Sequence, residues 1–235
     1  MDAIMLSIFL MLMPAFLLLI FITLKNHLAS GTAHLIFVAV TLIITGLFCW
    51  RLHRKFRKIR FCRMGLDGER ATGEELNQLM KHGYRVYHDM QAGKFNIDHI
   101  VIGSSGVYAV ETKYRSKVTG NGTNGVKVLR DNDRLCFPDN RIDSKAIPQA
   151  RAQAKWMSEF LTKSVGKQIT VQAIVALPGW YVKPGPHDGT VLVISPKNPD
   201  NFFLSRPAML DDQMIQQVAY QIEQRCRTVK PFEVV

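Results

Sequence analysis

Two long apolar runs at the N-terminus constrain this chain more than anything else in it. Residues 3–24 are 22 uncharged residues ending at Lys25, and residues 33–50 add 18 more, apolar apart from His34 and a few threonines. As helices these reach ~33 and ~27 Å, against a hydrocarbon core ~30 Å thick. Both read as membrane spans, joined by the turn KNHLASGT at 25–32. Buried core helices are the plainer alternative, but two such runs this close would need a far larger protein to cover them. A cleaved leader is disfavoured, because only Met1 and Asp2 precede the first run and neither is basic. Pro14 falls mid-run and predicts a kink.

Charge gives the expected orientation. Residues 51–63, RLHRKFRKIRFCR, hold seven Lys or Arg and no acid, whereas the turn holds only Lys25. The positive-inside rule then predicts an inner-membrane protein with two spans, both termini cytoplasmic, and a basic belt meeting anionic lipid. A nucleic-acid patch is the rival reading of the same charges, and adjacency to a span favours lipid. The whole chain carries +11, but residues 64–235 hold 22 Lys or Arg against 18 Asp or Glu. That part is mildly basic, which permits contact with a phosphate backbone without arguing for it. Cys49, Cys62, Cys136 and Cys226 form no CxxC pair, so no zinc site is suggested and a reduced compartment fits. The predicted organisation is a hairpin of spans over 1–52, a basic linker over 53–64, and one domain over 65–235.

The domain reads as α/β. GLDGERATGEELNQLMKH (65–82) has helical spacing and ends at Gly83. YRVYHDM (84–90) alternates like a strand, and NIDHIVI (96–102) and VYAVETK (107–113) flank the turn GSSG, a strong hairpin signal. Residues 114–126 are polar with three glycines and predict a loop; 127–137 predict a further hairpin. A helix follows from 144 or 145 to about 163, with Pro148 in its first turn. Strands are predicted at 168–177 and 190–195, and a last helix at about 207–225. The order predicts a mixed central sheet flanked by helices.

Pairing the two central strands across a four-residue turn sets Asp98 opposite Glu111. Opposed Cβ atoms in such a pair lie ~4.5–5.5 Å apart, so two carboxylates there repel unless something holds them. A hard divalent cation with oxygen ligands does so. Glu111 and Lys113 are two apart and share a strand face. Asp98, Glu111 and Lys113 thus suit phosphodiester cleavage. A Mg²⁺ or Mn²⁺ on the two acids polarises the phosphate and activates a water, and the lysine stabilises developing charge. Glu69, on the first helix, is a candidate further ligand. The plain alternative is a charged cluster on an exposed sheet face. The apolar neighbours Ile97, Ile100, Val107 and Val110 argue for a covered hairpin, where stray charge is costly.

The runs GLDGERATGEEL (65–76) and FNIDHIVIGSSGVYAVETK (95–113), with LPGW (177–180), resemble the nuclease-related domain, NERD. That family combines Gly-x-x-Gly-Glu on a helix, an Ile-Asp-His strand, Gly-x-x-Gly-Val, and a strand ending acid-x-Lys. The resemblance covers roughly 65–180 and implies the restriction-endonuclease-like superfamily, with Asp98 and Glu111 as metal ligands, Lys113 on the water or phosphate, and Glu69 as the first-helix acid. It implies a glutamine near substrate on a later helix; Gln149 and Gln153 are both candidates. It further implies a nucleic-acid substrate, DNA ahead of RNA, and a possible homodimer, since cutting both strands needs two sites. Ile97 stands where many superfamily members have Pro. A silent binding module or a protein-interaction module are the alternatives, since fold and activity separate.

Arg115, Lys117 and Lys127 flank the polar loop and are candidate phosphate contacts or plain solvated surface. His99, adjacent to Asp98 in a strand, points to the opposite face and reads as a packed histidine. Trp180 and Tyr181 read as loop packing ahead of base stacking.

Overall fold

The apolar run at 33–50 and the basic stretch at 51–63 are one element: in this computed structural model, helix α1, Gly31–Asn77, is unbroken over 47 residues. The residues described are 15, 18, 20–22, 31–93, 95–117 and 126–228. Among them no helix is long and apolar enough to cross a membrane. The expected two-span anchor is corrected accordingly, and with it the inner-membrane location and the lipid contacts through those spans. The run at 33–50 is not a bounded span but the start of a helix that continues through seven cations. Leu35, Leu42, Ile43 and Leu47 on it are exposed. The first run, 3–24, lies mostly outside the described residues.

The chain divides into two units, Met1–Arg63 and Met64–Val235. In the second, α1 gives way to a 3₁₀ turn, Gln78–His82, closed by Gly83 at φ 80, a left-handed stop that costs glycine nothing. Then come β1 (Arg85–Gln91), β2 (Asn96–Gly103) and β3 (Gly106–Thr112). An excursion carries β4 (Lys127–Asp131), β5 (Arg134–Cys136) and β6 (Ile142–Asp143). Helix α2 (Ala146–Val165) leads to β7 (Val171–Ala176), β8 (Tyr181–Lys183) and β9 (Val191–Ile194). A short α3 (Asp200–Phe203) precedes α4 (Asp212–Thr228).

The strands form two sheets rather than the single one expected from sequence. The larger has the order β1-β2-β3-β7-β9, the smaller β6-β5-β4-β8. In the larger, β1, β2 and β3 pair antiparallel, and β3, β7 and β9 pair parallel. The mixed character follows from the connections: a tight turn joins β2 to β3, and α2 crosses over before β7, as a parallel pair requires. Both faces are covered, which is why β2, β3 and β7 read as nearly continuous apolar runs. Val101, Tyr108, Val110 and Ile174 pack with Leu76 and Leu79 on one side. Ile100, Ile102, Val107 and Ala109 share the other core with Ile147, Ala150, Ala154 and Met157 of α2 and Val218 and Ile222 of α4. Each large aliphatic chain so buried contributes roughly 1.5–3 kcal/mol.

Candidate active site

The β2–β3 ladder sets Gly103 against Gly106 and His99 against Val110. One further step brings Asp98 level with Glu111, at the end of the hairpin away from its turn. Asp98 Oδ2 accepts a hydrogen bond from the backbone N–H of Thr112 at 2.7 Å. Glu111 is only 3% exposed, and both its oxygens are engaged. Lys113 Nζ donates to Oε1 at 2.5 Å, and Gln153 Nε2 donates to Oε2 at 2.6 Å. Lys113 also donates to Gln149 Oε1 at 3.1 Å. Gln149 and Gln153 are four apart on α2 and so occupy one face of it. One glutamine orients the lysine and the other the glutamate. Gln153 is buried; its amide also donates to the Asn96 carbonyl at 3.1 Å, while its Oε1 has no hydrogen-bond partner among the described residues.

The acids feel one another. Burial pushes the Asp98 carboxyl up to about 7, helped by the Glu111 charge and, less, by Glu69; the Thr112 amide and Lys113 oppose the rise. Burial likewise raises Glu69, with Asp89 and Glu111 adding to it. Glu69 and Asp98 line one pocket of about 370 Å³, together with Arg70, Glu74, His88, Asp89 and His99. The approach of α1 depends on Gly68: a Cβ there would lie 2.5 Å from the Cβ of Tyr114, immediately after Lys113.

Some of this was not visible in sequence. Asp89 lies between the His88–His99 and Met90–Ile97 pairs of the β1–β2 ladder, level with Asp98, and has φ +53. A row of three acids therefore crosses β1, β2 and β3. His88 Nδ1 and His99 Nδ1 share a hydrogen bond of 2.8 Å, and His88 Nε2 meets Asn77 Oδ1 at 3.1 Å. Burial lowers both imidazoles, His99 to about 4 with the His88 charge adding to the effect. The signal was the register itself: once β1 is placed beside β2, His88 faces His99.

Of the substrate candidates, Gln149 and Arg115 line a second pocket of about 360 Å³ with Lys113, Ile142, Asp143, Ser144 and Lys145. Lys117 does not line it; its Cε lies against Gly179. Trp180 is buried edge-on against Phe137, with ring centroids 5.1 Å apart, and donates its indole N–H to the Arg115 carbonyl at 3.1 Å. It is packing, not a surface for bases.

No group of three or more His, Cys, Asp or Glu among the described residues is placed to hold a metal ion. The donor chemistry of Asp98 and Glu111 nonetheless fits a hard divalent cation. Both offer carboxylate oxygen, Lys113 is bonded to Glu111, and Mg²⁺ is commonly held by one or two carboxylates with water completing its shell.

Fold and site together define a mixed α/β domain with a buried glutamate, a half-buried aspartate and a lysine at the end of its central hairpin. Residues 64–178 match the family model described as "NERD: Nuclease-related domain", so that stretch is similar to a nuclease-related domain. That match suggests a nuclease-like function. No curated protein matches the chain. Among solved structures it is similar to Pyrococcus furiosus SfsA in complex with Ca²⁺, at 15% identity and a TM-score of 0.25, over 66% of this chain and 53% of that one. The chain thus spans about half of that protein, and a superposition this loose assigns no fold.

Proposed function

We propose that this protein is a metal-dependent nuclease that hydrolyses phosphodiester bonds, DNA ahead of RNA. The observation that carries the proposal is Glu111: buried, level with Asp98, and held between Lys113 and Gln153. Burying charge is costly unless it is paired, and a buried glutamate beside a half-buried aspartate, with one lysine, leaves negative charge that a divalent cation balances. Asp98 and Glu111 would hold the Mg²⁺ or Mn²⁺. Such an ion lowers the pKa of a bound water and polarises the phosphate. Lys113 stabilises the charge that develops on the phosphate, and Gln149 fixes where its ammonium points. Gln153 fixes the Glu111 carboxylate, and Glu69 enlarges the acidic wall beside Asp98. The acid-x-Lys strand shared with restriction endonucleases favours DNA.

A second reading is a nucleic-acid-binding module that does not cut. It is favoured by one fact: both Glu111 oxygens already accept hydrogen bonds. Incubating the full chain with labelled DNA and RNA in Mg²⁺, Mn²⁺ and EDTA separates the two. The nuclease cuts in metal, stops in EDTA, and is disabled by Glu111→Ala and by Lys113→Ala. Cleavage that survives both substitutions removes the nuclease reading, and salt-dependent binding with no product selects the second.

A further inference from the structure

The two pockets beside the acid pair carry opposite charge. In the pocket of about 370 Å³, the acids Glu69, Glu74, Asp89 and Asp98 line the wall with Arg70, His88 and His99. In that of about 360 Å³, Lys113, Arg115 and Lys145 outnumber Asp143 among the described lining residues, beside Ser144 and Gln149. A polynucleotide carries a negative charge at every phosphate on both sides of the bond that is cut. One side of this site attracts such a chain and the other repels it.

The cationic side is held in place. Asp143, 7% exposed, accepts from Arg115 Nη2 at 2.6 Å with Oδ2, and from the backbone N–H groups of Lys145 and Ala146 at 2.9 and 3.0 Å with Oδ1. One carboxylate thereby caps α2 and orients the guanidinium. Trp180 holds the Arg115 carbonyl, and the Phe137 ring lies 6.0 Å from the guanidinium carbon. A guanidinium has five N–H donors in a planar fork that matches phosphate, so the Asp143 contact does not exhaust it. Lys113 joins this pocket to the acid pair, because its Nζ touches both Glu111 and Gln149.

We infer that Arg115, Ser144, Lys145 and Gln149 form an anchor for the backbone phosphate next to the scissile one, on one side of the cut only. This rests on the nuclease reading of Asp98, Glu111 and Lys113. The consequence is directional: the strand is gripped on one side of the cleaved bond and leaves freely on the other.

The test uses the full chain and a series of DNA oligonucleotides, each with one phosphate replaced by a neutral methylphosphonate, moved one step at a time. Cleavage is read in Mg²⁺, and binding in Ca²⁺. Neutralising the neighbour on one side of the cut weakens binding about tenfold, in line with one charged hydrogen-bonded contact, while the matching position on the other side changes it less than about twofold. Lys145→Ala, which leaves the Arg115–Asp143 pair intact, reduces the asymmetry and lowers the salt slope of binding by about one. Arg115→Lys keeps the charge but loses the fork, and is intermediate. Equal losses on both sides with cleavage intact overturn the anchor and spare the nuclease. One-sided phosphate dependence in a protein that never cuts spares the anchor and overturns the nuclease. Asymmetry that persists unchanged in both Lys145→Ala and Arg115→Ala also overturns the anchor.

Discussion

Gln153 donates its side-chain amide to Glu111 at 2.6 Å, from a helix that begins 35 residues after that glutamate. The contact assigns different work to two glutamines that spacing alone left equivalent, since Gln149 serves Lys113 instead. It also gives the first prediction. Gln153→Ala leaves a buried carboxylate oxygen short of a donor and costs about 1–3 kcal/mol. Cleavage falls by roughly 10–100-fold, as for other partners that orient a ligand. Urea titration and steady-state kinetics measure both; a variant as stable and as active as the parent contradicts the role.

In the proposed site, a metal ion on Glu111 would compete with Lys113 for the Oε1 that the lysine already engages. Lys113→Ala is therefore expected to bind Mn²⁺ more tightly while turnover drops by about 10²–10³. Titration calorimetry with Mn²⁺ alone, set beside kcat, reads the two effects. A parallel loss of metal affinity and rate would show that the lysine supports the site structurally rather than sharing it.

Asp98 and His99 are neighbours in β2 and shift in opposite senses, from 3.8 up to about 7 and from 6.5 down to about 4. The raised acid binds more protons when folded, so its contribution is fully present below about pH 3.8 and is lost as pH rises through 7. The depressed histidine binds fewer protons when folded, so its contribution is present above about pH 6.5 and is lost as pH falls toward 4. Over that window these two contributions largely offset each other in the parent. Asp98→Asn unmasks a loss on acidification, and His99→Gln a loss on raising pH, each approaching ~1.4 kcal/mol per pH unit. Metal-free denaturation curves from pH 4 to 8 check this, and three superimposable profiles would count against it.

Two glycines of one motif are expected to behave differently. A Cβ on Gly68 meets Tyr114 at 2.5 Å, whereas a Cβ on Gly65 meets nothing within 4 Å. Gly68→Ala costs about 1–3 kcal/mol as the helix and the segment after Lys113 are forced apart. Gly65→Ala, inside a helix, adds about 0.5–1 kcal/mol of stability. Thermal melts of the pair decide it, and equal shifts in one direction would refute the steric account.

The hairpin was legible because three signals agreed. Two runs rich in β-branched and aromatic residues, a turn of glycines and serines, and a four-residue connection fix one register, and that register brings Asp98 level with Glu111. The smaller sheet was legible only in part. The hairpin expected over 127–137 is β4 and β5, but β6 has two residues and β8 three, too few to show a period, and β8 comes from beyond α2. Asp89 was hidden because its left-handed backbone interrupts the alternation of β1. The apolar run at 33–50 misled for another reason. Local hydropathy does not say where a helix ends, and α1 carries that run onward to Asn77.

The Arg115–Asp143 pair joins the two ends of the excursion that departs after β3 and returns at α2. It works as a clasp. With its ends fastened next to Glu111 and the glutamines, and Val128, Leu135 and Phe137 seated in the core, the excursion can change its exposed surface while the strand it leaves and the helix it rejoins keep their spacing. Diversification of what such a protein grips can therefore proceed in that segment without retuning the carboxylates that sit beside its hinge.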